Sequence, residues 1–184
     1  FASSALSNIT TAGTTVEIIS GGKTVELAAN IDLMSEEWTP IGNYTNKFQG
    51  TFDGKGYTVS NLVITGNNSN AGFFGFTESG AIKNLTIDNA SVSGYLNVGV
   101  VAGTPYTSTY SNIKLTGVIK VDGYAYVGGM FGKNLYADAS DLVIEASDDS
   151  YVKASSEFYR TYVGGIVGFM GEGPHTVQNV TSNI

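Results

Sequence analysis

A chain of 184 residues with 24 glycines and only 3 prolines is no collagen, and 42% hydrophobic residues make it too apolar for a solvated tail. Lys and Arg number 9 against 16 Asp and Glu, and the resulting charge of −7 excludes a basic nucleic-acid surface and docking on anionic membranes. Charged residues make up 14% and cysteine is absent, so Ser, Thr, Asn and Gly must supply the polar surface, and disulfide scaffolds and thiolate metal clusters are ruled out.

The chain opens at Phe1 rather than methionine, which reads as a processed or excised segment. Thr15-Val16-Glu17-Ile18-Ile19 and Thr24-Val25-Glu26-Leu27 read as strands split by Gly21-Gly22. Ala28 to Glu37 has room for one short helical turn. Residues 1–50 are expected to form the first coil or coils and part of an N-terminal cap. Asp53-Gly54 reads as a tight turn, since Lys55 and Gly56 complete no phosphate loop.

From residue 58 onward the chain repeats. One unit reads Val59-Ser60-Asn61-Leu62-Val63-Ile64, with relatives at Asn84-Leu85-Thr86-Ile87, Asn112-Ile113-Lys114-Leu115, Asp141-Leu142-Val143-Ile144 and Asn179-Val180-Thr181. Their Asn or Asp anchors are spaced 23, 28, 29 and 38 residues apart. A second unit keeps step: Gly72-Phe73-Phe74-Gly75, Val100-Val101-Ala102-Gly103, Gly129-Met130-Phe131-Gly132 and Gly165-Ile166-Val167-Gly168. The extra length of the last repeat, around Ala146 to Thr161, reads as a loop or hairpin on one edge. Apolar residues alternate within each unit, as in half-buried strands, and no stretch keeps a helical stripe.

Short strands at a fixed period predict an all-β solenoid, a parallel and right-handed β-helix of six to seven coils forming a single domain over residues 1–184. Coils stacked about 4.8 Å apart would turn Leu62, Leu85, Ile113 and Leu142 into one aliphatic ladder, and the Asn anchors into a corner ladder of amides. A β-sandwich is the alternative. The chain stops at Ile184, just after a repeat strand, which predicts either a continuing parent protein or a partner at that end. No apolar stretch approaches the ~20 residues of a membrane span, so no membrane insertion is expected of this segment.

Trp38-Thr39-Pro40-Ile41-Gly42 followed by Phe48-Gln49-Gly50-Thr51-Phe52-Asp53-Gly54 resembles the opening coil of GLUG-repeat bacterial surface proteins. The Gly-Leu-any-Gly element of that family is echoed at Gly72, Gly129 and Gly165, while the copy at Val100 has lost its first glycine. The resemblance covers residues 24–184. It implies a secreted or cell-surface β-solenoid of the adhesin-like type found in Bacteroidetes, also present beside the protease domain of some IgA-cleaving metalloproteases. It brings no catalytic residues.

The chemistry-bearing residues point the same way. His175 is the single histidine, so no zinc motif with paired histidines can form; with no Gly-any-Ser-any-Gly elbow and no suitably placed partners for a triad, it reads as a turn residue. Glu36/Glu37, Asp122, Asp138/Asp141/Glu145 and Asp148/Asp149 are the carboxylates a polysaccharide-cleaving β-helix would need, but they do not recur at equivalent positions. Several Asn-any-Ser/Thr sequons occur, among them those that begin at Asn43, Asn67 and Asn89. Nine of the 11 tyrosines lie after residue 90. Tyr126 and Tyr162 each precede Val-Gly-Gly, and Tyr95, Tyr124 and Arg160 align two residues earlier.

Tyr95, Tyr124, Tyr126, Arg160 and Tyr162 are therefore the candidate ligand-binding face, with no catalytic residue, metal or cofactor expected. The expected function is a non-enzymatic adhesion or structural module, extracellular or at the cell surface, contacting a glycan or a protein. Two other readings stand beside it: a subunit of an end-to-end self-assembling fibre, and a polysaccharide-active enzyme.

Overall fold

The computed structural model describes residues 24–156 and 160–184, entirely as strands, bridges and turns. The first circuit holds β1 (Thr24–Glu26) and β2 (Ile31–Asp32), then continues through single bridges at Glu37, Ile41 and Phe48. The second holds β3 (Thr51–Asp53), β4 (Thr58–Ile64), β5 (Asn70–Ala71) and β6 (Phe74–Glu78). The third holds β7 (Ala81–Ser93), β8 (Asn97–Val98) and β9 (Ala102–Tyr106). The fourth holds β10 (Thr109–Gly123), β11 (Tyr126–Gly128) and β12 (Phe131–Asn134). The fifth holds β13 (Asp138–Ala146), β14 (Tyr151–Ala154), β15 (Tyr162–Gly164) and β16 (Val167–Met170), and β17 (Val177–Ser182) starts the next on top of β13.

All pairings among the described strands are parallel and join a strand to its counterpart one circuit away. That is a parallel β-solenoid, and it removes the sandwich alternative. One wall is the long sheet β1-β3-β7-β10-β13-β17 together with β2, β4 and β14; the other two are β15-β11-β8-β5 and β16-β12-β9-β6. The described residues make about five circuits, fewer than the six to seven expected, because the last circuit is long and the expected strand at Thr15 to Ile19 lies outside the described residues.

The ladder expectation is right for three of its four residues. Leu85, Ile113 and Leu142 stack in register, and Val180 follows Leu142. Leu62 instead stacks on Ala90. The 23-residue first spacing is thus no circuit at all. Asn61 belongs with Asn89, and Asn84 starts the column that continues through Asn112, Asp141 and Asn179. All six adopt left-handed backbone, with φ between 53° and 60°, which Asn and Asp tolerate best among residues with a Cβ.

Their side chains bond from circuit to circuit. Asn84 Nδ2 donates to Asp53 Oδ1 at 3.0 Å, Asn112 Nδ2 to Asn84 Oδ1 at 3.0 Å, and Asn179 Nδ2 to Asp141 Oδ1 at 2.9 Å. The Asn84 bond chiefly, with the Lys55 amide and nearby Lys83, holds the Asp53 carboxyl below its usual range despite burial. The expected Asp53-Gly54 turn is present, closed by Tyr57 N–H to Gly54 O at 2.8 Å.

Two local expectations fail. Residues 28–37 hold no helical turn; Ile31 and Asp32 instead pair with Val59 and Ser60, because the wall beneath β4 needs a strand there. The insert is not wholly a loop either: β14 lies within it and pairs with Lys120 to Gly123 of β10. The added residues fall between Ala146 and Tyr151 and between Ala154 and Tyr162, so the wall stays continuous around them.

The core is aromatic in its first two circuits and mostly aliphatic above, where Tyr110 and Phe131 form the one buried aromatic pair among the described residues, at 4.7 Å. Trp38 stacks on Phe73 at 4.9 Å and donates its indole N–H to Phe73 O at 3.0 Å, while Phe52 and Phe48 pack on Phe74 at 5.4 and 5.1 Å. Above them Ile82, Leu85, Ile87, Val98, Ile113, Leu115, Leu142 and Ile144 are fully buried.

The Gly-any-any-Gly element makes the corner between the two short walls. Strand register puts Gly72, Gly99, Gly128 and Gly164 in one column. The first glycine is therefore present in every circuit, and its absence at Val100 is only a shift by one residue: the corner from Gly72 to Phe74 is one residue shorter than that from Gly99 to Ala102. A Cβ at Gly128 would land on the carbonyl of Phe131 and the amide of Gly168. A Cβ on the second glycine, Gly132, would land on the amide of Val98 in the circuit below. Only glycine lets the two walls approach backbone to backbone here.

Candidate functional site

Because the corner is so tight, the outer faces of its two walls look at each other. One column is Asn70, Asn97, Tyr126 and Tyr162. The facing column is Phe76 and Thr104, then Lys133 and Phe169. Together they line a re-entrant groove along the solenoid. Apart from Phe76, its lower half is polar: Asn97 Nδ2 donates to Asn70 Oδ1 at 2.8 Å and to Thr104 Oγ1 at 2.9 Å, and the Thr104 hydroxyl donates to Asn70 Oδ1 at 2.6 Å. Its upper half is aromatic. Tyr126 and Tyr162 stack at 5.3 Å with planes 15° apart, and Phe169 meets both edge-on at 5.3 and 5.2 Å. The Lys133 ammonium sits 5.0 Å from the Tyr126 ring centre and 5.6 Å from that of Phe169.

The expected pairings of tyrosines are present as geometry. Tyr126 opposes Tyr162 in register, and Tyr95 stacks on Tyr124 at 5.0 Å with planes 19° apart. Tyr124 and Tyr126 flank the buried Ala125, so both pairs lie on the outer side of the same wall. Arg160 is exposed, and pairing with the circuit below resumes only at Tyr162, so it stands outside the stacked columns. Stacking has a consequence for binding: the ring faces between the partners are spent on each other, and edges and hydroxyls remain for a ligand.

Sequence reasoning missed Lys133 and Phe169, although a signal exists. The groove columns are the residue two before the first corner glycine and the residue directly after the second. A second outer aromatic run was missed as well. Tyr44 meets Phe76 edge-on at 5.9 Å, Phe76 meets Tyr106 at 6.3 Å, and Tyr106 meets Tyr136 at 5.9 Å, so the run crosses four circuits.

The carboxylates weighed for catalysis are dispersed and mostly engaged. Asp122 pairs with Lys153 at 3.0 Å and Glu145 with Lys114 at 2.7 Å. Asp138 accepts the Thr176 amide at 2.6 Å, and Glu37 accepts the amide and hydroxyl of Thr65 at 2.7 and 2.8 Å. Asp148 and Asp149 are exposed in the turn after β13. Among the described residues no three His, Cys, Asp or Glu side chains gather as a metal site. His175 lies beside Pro174 in a bend, its Nδ1 buried without a partner.

No protein-family model matches the chain. It is 38% identical over 124 residues to halomucin of Haloquadratum walsbyi, and 33% identical over 87 residues to a protein described as a Gly-rich membrane protein of Evansella cellulosilytica. It is 28% identical over 132 residues to an immunoglobulin A1 protease of Streptococcus sanguinis. These matches take in 61%, 45% and 69% of this chain but only 1%, 10% and 6% of those proteins. Among solved structures, a protein from Bacteroides ovatus described as an immunoglobulin A1 protease superposes with a TM-score of 0.58 at 18% identity, over 92% of this chain and 62% of its own. That likeness shows a shared fold, and the chain spans a tenth or less of the length of the curated relatives it matches.

Proposed function

We propose that this chain is a non-enzymatic structural module of an extracellular or cell-surface protein, a rigid solenoid of the GLUG-repeat type that offers an outer face to a glycan or protein partner. The observation that carries this reading is the stacked pair Tyr126 and Tyr162 with Phe169 against them, an aromatic outer surface held by register on a stiff frame. The engaged, scattered carboxylates support the non-enzymatic part. The names of halomucin and the Gly-rich membrane protein support a place at the cell surface.

A glycan array and a pull-down from surface-exposed host proteins, run with the whole chain and with the Tyr126→Ala/Tyr162→Ala pair, test the face. Binding that the pair abolishes while the fold persists is the expected result; binding that ignores the pair removes this face. Incubation with acidic and neutral polysaccharides, with and without calcium, tests the absence of catalysis, and new reducing ends would overturn it.

A further inference from the structure

The groove opens at its lower end into a cleft of about 620 Å³, lined among others by Pro40, Asn43, Tyr44, Asn46, Asn68 and Asn70. Tyr44 is 76% exposed, more than any other large hydrophobic side chain among the described residues. It touches Phe76 edge-on, with planes 84° apart, and the Lys47 ammonium lies 6.0 Å from its centre over one face, so the ring is not buried in a stack as those of Tyr126 and Tyr162 are and keeps its other face for a ligand.

The loop that carries Tyr44 is pinned. Asn43 Oδ1 accepts the amides of Thr45 and Asn46 at 2.9 and 2.8 Å, and the Asn43 amide donates to Asn46 O at 2.8 Å. Asn70 on the opposite side is fixed by Asn97 and Thr104. The carboxamides of Asn46 and Asn68 bond no other described residue, which leaves a donor and an acceptor on each. No charged residue lines the cleft, and the nearby Lys47 is neutralised by Glu78 at 2.7 Å.

We infer that this cleft binds a neutral oligosaccharide. A sugar ring presents a C–H face that packs on an aromatic ring, and neighbouring hydroxyls that donate and accept together, which is what a carboxamide answers. A concave site with one aromatic platform and a few convergent polar groups fits such a ligand. An acidic glycan or a phosphate would need an unpaired cation, and the lining has none. The site lies on the first two circuits, away from the tyrosine face of the third to fifth, so either can fail alone.

The test is saturation-transfer NMR and calorimetric titration of the whole chain with cellohexaose, maltohexaose and mannohexaose, and with hexagalacturonate as the charged counter-probe. At least one neutral hexamer is expected to bind. Tyr44→Ala and Asn68→Ala should each weaken it about tenfold, Tyr44→Phe should retain it, and Asp148→Ala, in the exposed turn after β13 and outside both sites, should leave it unchanged. Thermal melts that match the parent chain exclude unfolding as the cause. No neutral hexamer bound at millimolar concentration, preference for hexagalacturonate, or binding indifferent to Tyr44→Ala and Asn68→Ala each overturns the inference.

Discussion

The lower and upper halves of the groove share a backbone and differ in chemistry. Asn70 and Asn97 occupy the same column as Tyr126 and Tyr162, yet the first pair joins Thr104 in a closed set of hydrogen bonds and the second packs against Phe169. A solenoid repeats its frame because every circuit must pair with the next. Its outer positions are under no such demand and can change from circuit to circuit. The groove is therefore one geometric object carrying two surfaces.

If the frame is shared, damage to it must be equal in both halves. Gly103→Ala in the polar half and Gly132→Ala in the aromatic half should each destabilise by about 3 kcal/mol or more, since the new Cβ meets backbone of the neighbouring strand that cannot yield. Urea unfolding measures this. A cost below about 1 kcal/mol at either glycine would mean that the corner is loose there and that the two halves are not built alike.

The next largest effect tests whether the halves are coupled through the core. Thr77 of the second circuit and Tyr110 of the fourth share a buried hydrogen bond of 2.7 Å. Burial pushes the Tyr110 hydroxyl well above its usual range, so it stays protonated. Tyr110→Phe leaves the Thr77 hydroxyl unpaired and should cost about 2 kcal/mol, whereas Tyr110→Phe with Thr77→Val should recover most of that. A full, additive loss in the double variant would show that the bond does not link the circuits.

Much of this architecture is legible in the residues, and the parts that are not have physical reasons. Asn112, Asp141 and Asn179 could be aligned by eye because each fills the same left-handed corner, where few other residues are comfortable. Asn61 misled for the same reason: a second corner, left-handed at Asn61, Asn89 and Gly117, makes the same demand, so equal residues marked unequal places. Tyr126 and Tyr162 were legible because glycines beside them fix the register. Phe169 and Lys133 were not, since an outer column with no shared residue type shows no repeat until the corner glycines are aligned by pairing. Tyr44 lies in the irregular first circuit and has no counterpart to align with at all.

Side-chain variants within the groove should separate its halves more gently. Tyr126→Ala removes packing against Tyr162 and Phe169 and the cation held above its ring, and should cost about 1.5 kcal/mol. Asn97→Ala removes one member of a half-exposed hydrogen-bonded set and should cost about 1 kcal/mol. The order, rather than either value, carries the comparison: an aromatic half that is no more costly to truncate than the polar half would mean that its rings do not stabilise the frame.

The smallest effect is the most selective. Lys133 sits within 5.0 Å of the Tyr126 ring centre and 5.6 Å of that of Phe169. Lys133→Met keeps an apolar stem on both rings and removes only the charge, so it should cost about 0.5 kcal/mol, with little dependence on salt. Lys133→Ala removes stem and charge and should cost slightly more. Were Lys133→Met neutral and Lys133→Ala costly, the lysine would be acting as a hydrocarbon cover over the rings. Its charge would then be free to meet a ligand approaching the upper groove.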